Sequence, residues 1–244
     1  MKISIVIPAY NEEGRILATI SKIQEYTDKF YPDYEVVVVN DGSIDGTAQK
    51  IQEMMKDNKK ISLIDNKINR GKGFAVKDGI LKSIGDVILF MDADGSTPIE
   101  SLSALLPFID QGADVVISSR RIRGAKILDD QPIQRIFLGW IFRKITQSLT
   151  HLEIVDTQNG FKLFKAGAAK DIFSKVTIDG WAFDVEALVI ANRFGYKCTE
   201  VPIVWRNDRR SKVSIISMIM MLMDLIKIGF RMSRGEYGGT RAKL

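Results

Sequence analysis

The amino-terminal half of the chain alternates short runs of β-branched residues with longer stretches in which apolar residues recur at helical spacing. The runs predict strands at Ile3 to Ile7, Glu35 to Asn40, Ile61 to Ile64, Asp86 to Met91 and Ala113 to Ser118. The stretches between them predict helices at Glu12 to Lys29, Thr47 to Lys56, Gly73 to Ser83 and Pro98 to Ile109. The runs are apolar almost throughout, which is typical of parallel strands covered by helices on both faces. This order predicts an α/β fold with a doubly wound, mostly parallel sheet and right-handed crossovers.

We expect the second half of the chain to add to the first within the same domain, because no linker, repeat or low-complexity segment separates the halves. Its predicted parts are a basic irregular stretch from Arg120 to Gln131, a helix, a strand at Gly160 to Phe164, a helix from Ala182 to Phe194, a strand near Thr199 to Trp205 and a final apolar helix. A chain of 244 residues can bury a substantial core as one unit. We therefore expect a single domain covering residues 1–244.

The composition excludes several kinds of site. The only cysteine, Cys198, has no partner for an intramolecular disulfide, and the only histidine, His151, cannot build a zinc cluster or a multi-histidine metal site. Chemistry based on carboxylates remains. The net charge of +5 favours anionic partners such as nucleotides, lipid phosphates or nucleic acid, without choosing among them.

Polar side chains follow the first two predicted strands, in Pro8 to Glu13 and in Asn40 to Thr47. The carboxyl ends of parallel strands meet at one edge of the sheet, where open α/β folds bind their ligands. There the ring of Tyr10 can stack on a base, and the carboxylate of Asp41 can accept a hydrogen bond from a base N–H. The alternative is that Asp41 and Asp45 are only turn residues, with Asp45 capping a helix.

The fourth predicted strand runs directly into Asp92-Ala93-Asp94. Carboxylates two residues apart at a strand end can reach one small volume if the strand bends there, and a divalent cation relieves their repulsion. Mg²⁺ and Mn²⁺ take oxygen ligands, and Mg²⁺ commonly couples one or two carboxylates to substrate phosphates. Two solvated loop aspartates are the alternative, which their position beside the other polar strand ends weakens. The sequence therefore predicts a Mg²⁺ or Mn²⁺ site at Asp92 and Asp94.

Taken together, these segments resemble glycosyltransferase family 2, the inverting nucleotide-sugar enzymes with the GT-A fold. Residues 5–12 resemble the family's opening strand, residues 39–43 its base-binding turn and residues 92–94 its metal-binding Asp-x-Asp motif. The resemblance covers most of the chain, and its motifs occur in the family's order. It implies an inverting, metal-dependent hexosyltransferase that uses a nucleotide diphosphate sugar.

The resemblance also implies roles on the donor side, which residues 1–119 would provide. Pro8, Tyr10, Glu12 and Asp41 would bind the nucleotide sugar at its base and ribose. Asp92 would face the nucleoside side, and Asp94 would bind the metal at the diphosphate. From its chemistry alone, Lys72 at a predicted helix start is expected to help hold the leaving diphosphate; a solvated basic loop is the alternative.

Within the family, the second half resembles the synthases that attach a sugar to a polyprenyl phosphate, and most closely those that transfer glucose. The likeness lies in residues 156–164, in residues 181–186 and in Trp205 followed by Ser211-Lys212. The related mannose-transferring synthases usually have Gln where this chain has Ser96. The resemblance therefore implies transfer of glucose, with UDP-glucose favoured as donor, to a polyprenyl or dolichyl phosphate.

A lipid monophosphate is already largely anionic near neutral pH, because its second pKa is roughly 6, so it needs cations more than a strong base. We expect residues 120–212 to provide the acceptor site, with the acceptor phosphate bound by Arg120, Arg210, Ser211 and Lys212. We count Asp94, Arg120 and Asp184 as the catalytic candidates. For Asp184 the choice between a base and a ligand of a sugar hydroxyl stays open, and compensation of the helix dipole is the alternative to both.

Two apolar segments predict attachment to a membrane surface. Residues 133–152 combine apolar residues at helical spacing with basic neighbours, which suits the headgroup layer; core packing is the alternative. Val213 to Phe230 is nearly long enough to span a bilayer, but it contains Asp224 and Lys227, and the tail after it is basic. The apolar amino terminus is too short for a signal peptide. We therefore expect a cytoplasmic protein that is peripheral on the cytoplasmic face of a membrane.

Two other functions stay open at this point. The first is a soluble family 2 enzyme that glycosylates a saccharide or a protein. The second is a non-catalytic nucleotide-binding or nucleic-acid-binding α/β module. The acidic residues at the strand ends would repel a phosphate backbone in the absence of metal, so no nucleic acid partner is expected.

Overall fold

The computed structural model of the protein describes residues 1–128, 133–206 and 215–238. Its strands are β1 (Ile3–Ala9), β2 (Tyr34–Asp41), β3 (Ile61–Asn66), β4 (Val87–Met91), β5 (Val115–Ser119), β6 (Lys126–Ile127), β7 (Phe161–Lys165), β8 (Cys198–Pro202) and β9 (Val204–Trp205). Its α-helices are α1 (Ile16–Phe30), α2 (Thr47–Asp57), α3 (Lys72–Lys82), α4 (Leu102–Asp110), α5 (Ile133–Thr150), α6 (Ala166–Lys175), α7 (Phe183–Arg193) and α8 (Ile215–Ser233). A short 3-10 helix, Ile99–Ser101, precedes α4.

The central sheet has seven strands in the order β3-β2-β1-β4-β7-β5-β8. The neighbouring pairs β3-β2, β2-β1, β1-β4 and β5-β8 are parallel, whereas β7 is antiparallel to β4 on one side and to β5 on the other. The mostly parallel α/β sheet predicted from the sequence is confirmed. The short strands β6 and β9 form a separate pair.

Each face of the sheet has its own hydrophobic core, because successive strand residues point to opposite faces. Val6 and Val39 pack on one face with residues of α3, α6 and α7. Ile5 and Val38 pack on the other face with residues of α1 and α4. Helices therefore cover both faces, and the carboxyl ends of the parallel strands form a firmly supported edge.

Strand β7 confirms the predicted strand at Gly160 to Phe164, and its direction matters for the site. Because β7 runs opposite to its neighbours, its first residues lie at the edge where β4 and β5 end. The backbone N–H of Asp92 donates to the carbonyl of Gly160 there, at 3.0 Å. The sequence patterns did not predict α6, and they predicted one strand where β8 and β9 are separate.

Helices α5 and α8 lie against each other, and a methyl group added at Gly229 would contact the Leu149 side chain. The buried side of α8 carries Met221, Leu225 and Ile228. The other side exposes the large apolar side chains of Ile219, Met220, Met223, Ile226 and Phe230. Of the helices in the described part of the chain, none has the length and apolarity that crossing a bilayer requires.

Candidate active site

The end of β2 places Asp41 almost fully buried, with 3% of the residue exposed. Its two carboxylate oxygens accept hydrogen bonds from the backbone N–H groups of Arg70 and Gly71, at 2.9 and 2.8 Å. Burial raises the pKa of Asp41, and these donors partly offset that rise. Asp41 therefore orders the loop that leads into α3, at the strand end where the sequence predicts base binding.

The end of β1 places Pro8 within the strand and Tyr10 exposed just beyond it. The carboxylate of Glu12 is buried and pairs with Arg15, and the Glu12 backbone N–H donates to the Thr47 hydroxyl at 2.8 Å. Asp45 is a turn residue and not the cap of α2: the N-cap is Gly46 and has no side-chain cap, and the Asp45 carboxylate accepts from the backbone N–H of Thr47 at 3.0 Å. The predicted donor-side residues of β1 and β2 therefore share one edge of the sheet.

Lys72 begins α3 and points to the end of β4, where its ammonium nitrogen lies 2.6 Å from a carboxylate oxygen of Asp92. The same nitrogen lies 5.1 Å from the ring centroid of Trp181 and 5.4 Å from that of Phe90. Burial lowers the pKa of Lys72, but the charges of Asp92 and Asp184 outweigh that effect and raise it overall. Lys72 is therefore a firmly protonated cation at the predicted metal motif.

Two glycines flank Lys72, and both positions require glycine because the backbone before α7 approaches them closely. A methyl group added at Gly71 would lie 2.4 Å from the carbonyl oxygen of Asp179, and one added at Gly73 would lie 2.4 Å from that of Ile178. The backbone N–H of Gly73 donates to the Asp179 carbonyl at 2.8 Å. The segment before α7 therefore sets the position of Lys72.

Asp94 completes the Asp-x-Asp motif two residues after Asp92. Its carboxylate accepts from the backbone N–H of Ser96 at 2.8 Å. Burial and the neighbouring charge of Asp92 raise the pKa of Asp94, and the Ser96 hydrogen bonds and Lys72 offset only part of the rise. A divalent cation between the carboxylates would remove this repulsion.

The residues present fit Mg²⁺ or Mn²⁺, because both carboxylates supply the hard oxygen ligands that these ions prefer. The Asp92 carboxylate also has space reserved for it, since a methyl group added at Gly160 would lie 2.0 Å from its oxygen. In residues 1–128, 133–206 and 215–238, no three His, Cys, Asp or Glu residues are grouped as a complete metal site. Oxygens of a substrate or of water would complete the coordination.

Arg120 follows β5 at the same edge and forms a two-pronged ion pair with Asp156. Its Nε and Nη2 lie 2.8 and 2.7 Å from the two carboxylate oxygens, and its backbone N–H also donates to Asp156 at 2.8 Å. Burial raises the pKa of Asp156, but Arg120 outweighs that effect and lowers it overall. The sequence predicted Arg120 as a site residue, but it did not predict this partner.

Lys162 is a site residue that sequence reasoning missed. It lies in the middle of β7 with 2% of its side chain exposed, and its ammonium donates to the carboxylate of Asp184 at 2.5 Å and to the carbonyl of Asn159 at 2.7 Å. Asp184 therefore has a buried partner and does more than compensate the dipole of α7. The available signal was a lysine between Phe161 and Leu163 in an otherwise apolar run.

Glu186, two residues after Asp184, is fully buried and has a structural role. Its carboxylate accepts from the backbone N–H groups of Thr177 and Ile178, at 2.8 and 2.7 Å, and from the Tyr237 hydroxyl at 2.9 Å. Burial and the Glu186 charge raise the pKa of Tyr237. Glu186 thus connects the segment that supports Lys72 with the chain that follows α8.

The predicted acceptor residues Arg210, Ser211 and Lys212 lie outside the described residues. The chain before them is described up to Arg206, whose backbone N–H donates to the carbonyl of Ser96 at 3.0 Å. The strand pair β6-β9 is therefore anchored beside the Asp-x-Asp motif. The structure brings Asp92, Asp94, Lys72, Arg120 and Asp184 to one edge of the sheet.

Comparison with known sequences identifies relatives along nearly the whole chain. The family model of glycosyl transferase family 2 matches residues 4–173. A dolichyl-phosphate beta-glucosyltransferase of Trichomonas vaginalis is 36% identical over 243 residues, which cover 95% of this chain and 72% of that protein. The human dolichyl-phosphate beta-glucosyltransferase is 34% identical over 251 residues, which cover 97% of this chain and 77% of that protein.

Comparison with solved structures identifies the fold. Glucosyl-3-phosphoglycerate synthase from Mycobacterium tuberculosis, in complex with Mn²⁺, uridine diphosphate and phosphoglyceric acid, matches with a TM-score of 0.70 at 19% identity. The match covers 99% of this chain and 80% of that chain. The predicted GT-A fold is confirmed.

Proposed function

The chain belongs to glycosyltransferase family 2, and from that premise we propose that it transfers glucose from UDP-glucose to dolichyl phosphate or a related polyprenyl phosphate, with inversion at the anomeric carbon. The observation that carries the proposal is the similarity to dolichyl-phosphate beta-glucosyltransferases, which includes the second half of the chain, where an acceptor site belongs. The arrangement of charges at the sheet edge supports it.

The donor side of the proposed reaction uses Lys72, Asp92 and Asp94. Departure of a nucleoside diphosphate leaves negative charge that must be stabilised. Lys72, firmly protonated and only partly exposed beside two aromatic rings, supplies one positive charge at that position. Mg²⁺ or Mn²⁺ held by Asp92 and Asp94 would, when bound, neutralise further charge on the diphosphate. Pro8, Tyr10, Glu12 and Asp41 would hold the base and ribose.

The acceptor side uses Arg120. Its guanidinium is fixed by Asp156 and lies 5.2 Å from the ring centroid of Trp205, so it is preorganised at the edge. A guanidinium has five N–H donors, and only part of them are used by Asp156. The remaining donors can bind the acceptor phosphate, together with Arg210, Ser211 and Lys212 in the proposal.

The chemistry needs no strong base on the acceptor, because the attacking phosphate oxygen already carries negative charge near neutral pH. A single displacement places the attacking oxygen and the leaving diphosphate on opposite sides of the anomeric carbon. Arg120 and Lys72 belong to these two sides respectively. An α-linked donor would then give a β-linked glycolipid.

The acceptor requires access to a lipid surface, which the exposed face of α8 can provide. Ile219, Met223 and Ile226 recur at helical spacing and are each more than half exposed, with Ile226 at 64%. A contiguous apolar patch of this kind marks a contact site. The proposal therefore includes peripheral attachment of the protein to the cytoplasmic face of a membrane, through α8 and the neighbouring face of α5.

A screen of nucleotide sugars against dolichyl phosphate in neutral detergent with Mg²⁺ or Mn²⁺ tests the proposal. The expected product is a glucosyl lipid formed from UDP-glucose with release of uridine diphosphate, and NMR of the purified product should show a β linkage. Chelation of the metal and the Asp94→Asn variant should each lower turnover by orders of magnitude.

Three results would contradict parts of the proposal. Preference for another nucleotide sugar would contradict the donor, and transfer to a soluble saccharide or protein without lipid would contradict the acceptor. An α-linked product would contradict the single displacement.

A further inference from the structure

The placement of Lys162 is unusual because it puts an ammonium group on a buried face of the central sheet. In the register of the sheet, Lys162 lies between Phe90 of β4 and Ile117 of β5, two fully buried residues. A buried ammonium is costly unless it is paired and hydrogen bonded. Both conditions are met by Asp184 and by the carbonyl of Asn159. Such a pair contributes little to stability compared with apolar side chains of the same volume, so its presence calls for a functional reason.

Asp184 lies between the donor side and the acceptor side of the site. Lys162 pairs in the sheet with Phe90, two residues before Asp92, and with Ile117, three residues before Arg120, and Asp184 accepts a hydrogen bond from its ammonium. The ring of Phe90 lies beside both ammonium groups, with its centroid 5.4 Å from Lys72 and 5.8 Å from Lys162. The Lys162–Asp184 pair therefore lies between the strand that leads into Asp92 and the strand that leads into Arg120, beside the same ring as Lys72.

In the proposed reaction, the transferred sugar must lie between the donor side and the acceptor side of the site. Its anomeric carbon lies between the leaving diphosphate, which we assign to Lys72, and the attacking phosphate, which we assign to Arg120. One oxygen of the Asp184 carboxylate accepts from Lys162, and none of the residues in the described part of the chain donates to the other. That second oxygen can accept a hydrogen bond from a sugar hydroxyl.

We propose that Lys162 is a positioning residue, which fixes Asp184 so that its second carboxylate oxygen binds a hydroxyl of the transferred sugar. This inference rests on the proposed function in its use of a nucleotide sugar as donor. The pair is poorly suited to proton abstraction, because a proton on Asp184 would leave Lys162 as an unpaired buried cation. It is well suited to holding a neutral sugar in one orientation.

The test measures binding without acceptor, by calorimetric titration of UDP-glucose and of uridine diphosphate in the presence of Mg²⁺. It compares the wild type with Lys162→Met, Asp184→Asn and the double variant. Lys165→Met is the matched control, because it makes the same change on the same strand at a half-exposed lysine that pairs with Asp114 at 3.2 Å, away from the site.

Lys162→Met and Asp184→Asn should each weaken UDP-glucose binding at least fivefold and leave uridine diphosphate binding within twofold. The double variant should lose no more than Asp184→Asn alone, because Lys162 acts through Asp184. The control should bind both ligands like the wild type. Equal losses for the two ligands, losses that multiply in the double variant, or no loss in Asp184→Asn would overturn the proposal.

Thermal unfolding of each variant provides a second, independent test of the proposal. If Lys162→Met alone fails to fold, the double variant should fold, because it also removes the unpaired carboxylate. A double variant that fails to fold would overturn the proposal, since Lys162 would then be needed by the core regardless of Asp184.

The turnover assay with dolichyl phosphate stands apart from this binding test. A wild type that binds UDP-glucose but forms no glycolipid would contradict the proposed function, while the titrations still decide the role of Lys162. If the screen identifies a different donor, the same titrations use that nucleotide sugar and its nucleoside diphosphate.

Discussion

At the scale of single residues, the site depends on a glycine that leaves room for a neighbouring side chain as well as on the charged groups themselves. Gly160 has no positive φ angle to explain it. Its reason is the carboxylate of Asp92, which occupies the volume that a Cβ at this position would need. Gly160, which immediately precedes β7, is therefore part of the Asp-x-Asp site, although it lies 68 residues after Asp92 in the sequence.

Gly160→Ala should disturb the site far more than the fold. The added methyl group can be accommodated only if the Asp92 carboxylate moves, which separates it from Lys72 and from a metal ion at Asp94. We expect turnover to fall at least tenfold and the apparent affinity for Mn²⁺ in the presence of uridine diphosphate to fall with it, while the melting temperature changes little. Kinetics, metal titration and thermal unfolding of the variant measure the three effects.

Gly167→Ala is the control for that substitution. A methyl group added at Gly167 meets no atom within 4 Å, so this variant should keep wild-type activity. Full activity of Gly160→Ala with unchanged metal affinity would show that Asp92 is not held as the structure has it.

The ion pair of Arg120 with Asp156 should make stability depend on pH. The pKa of Asp156 is lower in the folded protein than its ordinary value of about 3.9, so its contribution to the free energy of unfolding is present above that value and is lost as the pH falls below it. Asp156→Asn should therefore cost about 3 kcal/mol at pH 7, because it leaves the charge of Arg120, whose side chain is only 19% exposed, without its partner.

Urea unfolding of wild type and variant between pH 7 and pH 3 measures this dependence. The difference between their free energies of unfolding should stay constant down to about pH 5 and shrink below about pH 4. A difference that is unchanged at pH 3 would contradict the assigned direction of the pKa.

At the scale of single residues, the sequence predicted the acids and bases at strand ends, because position after an apolar strand is a local signal. It did not predict Lys162, because a lysine in a short strand is ordinarily at a solvent-exposed position. Its burial becomes visible only when Asp184, which is 22 residues away, is placed beside it. The partner of Arg120 was missed for the same reason.

At the scale of elements, α8 has two apolar sides with different uses. The side with Leu225 and Ile228 completes a core, and the side with Ile219 and Ile226 is left exposed. Helical spacing in the sequence shows that both sides are apolar, but it cannot say which one the protein covers. The structure resolves this ambiguity by packing α8 against α5.

Replacing Ile219 and Ile226 together with Ser should weaken attachment to membranes without affecting the donor site. Both side chains are exposed, so the fold should tolerate the change. We expect at least a tenfold loss of partitioning into anionic vesicles, since burying even one isoleucine side chain contributes about 2 kcal/mol. Sedimentation with vesicles measures the partitioning, and calorimetry checks that UDP-glucose binding is retained.

Ile84→Ser is the matched control. Ile84 is 67% exposed but precedes β4, at the opposite end of the strand from the site. Equal losses of vesicle binding in this variant and in the α8 variant would contradict the assignment of α8 as the membrane face.

Element boundaries followed from local patterns where strands alternate with helices, and β1 to β5 were each predicted to within two residues. The place of β7 in the sheet, between β4 and β5, was not predicted. An apolar run shows that a strand exists, but its direction and its neighbours depend on pairings across the whole chain. The same holds for β8 and β9, which belong to different sheets although one residue separates them.

At the scale of the whole molecule, the proposed donor and acceptor sites come from different halves of the chain and should be separable by mutation. Lys212, in the predicted acceptor part, should bind the lipid phosphate. Lys212→Ala should lower kcat/KM for dolichyl phosphate at least tenfold and leave UDP-glucose affinity within twofold. The kinetics are measured in neutral detergent, which removes the general attraction of about 1 kcal/mol that a basic residue has for an anionic surface.

Lys59→Ala provides the comparison for a basic residue on the donor half, remote from the predicted site. It should match the wild type in both measurements. Lys212→Ala with wild-type lipid kinetics, or with an equal loss of donor affinity, would show that Lys212 does not bind the acceptor phosphate.

The insertion of β7 between β4 and β5 also dictates when the protein can fold during its synthesis. Once residues 1–119 have emerged from the ribosome, the segments of both β4 and β5 have been synthesised, but these two strands do not pair with each other in the sheet. The hydrogen-bonding edge of β4 stays open until residue 165 has emerged, and β8 is required after that. A nascent chain cut short before β7 would expose strand edges that are prone to aggregate. Completion of the active edge therefore waits for β7, and completion of the sheet waits for β8, so a nascent chain that ends before these strands should have no activity.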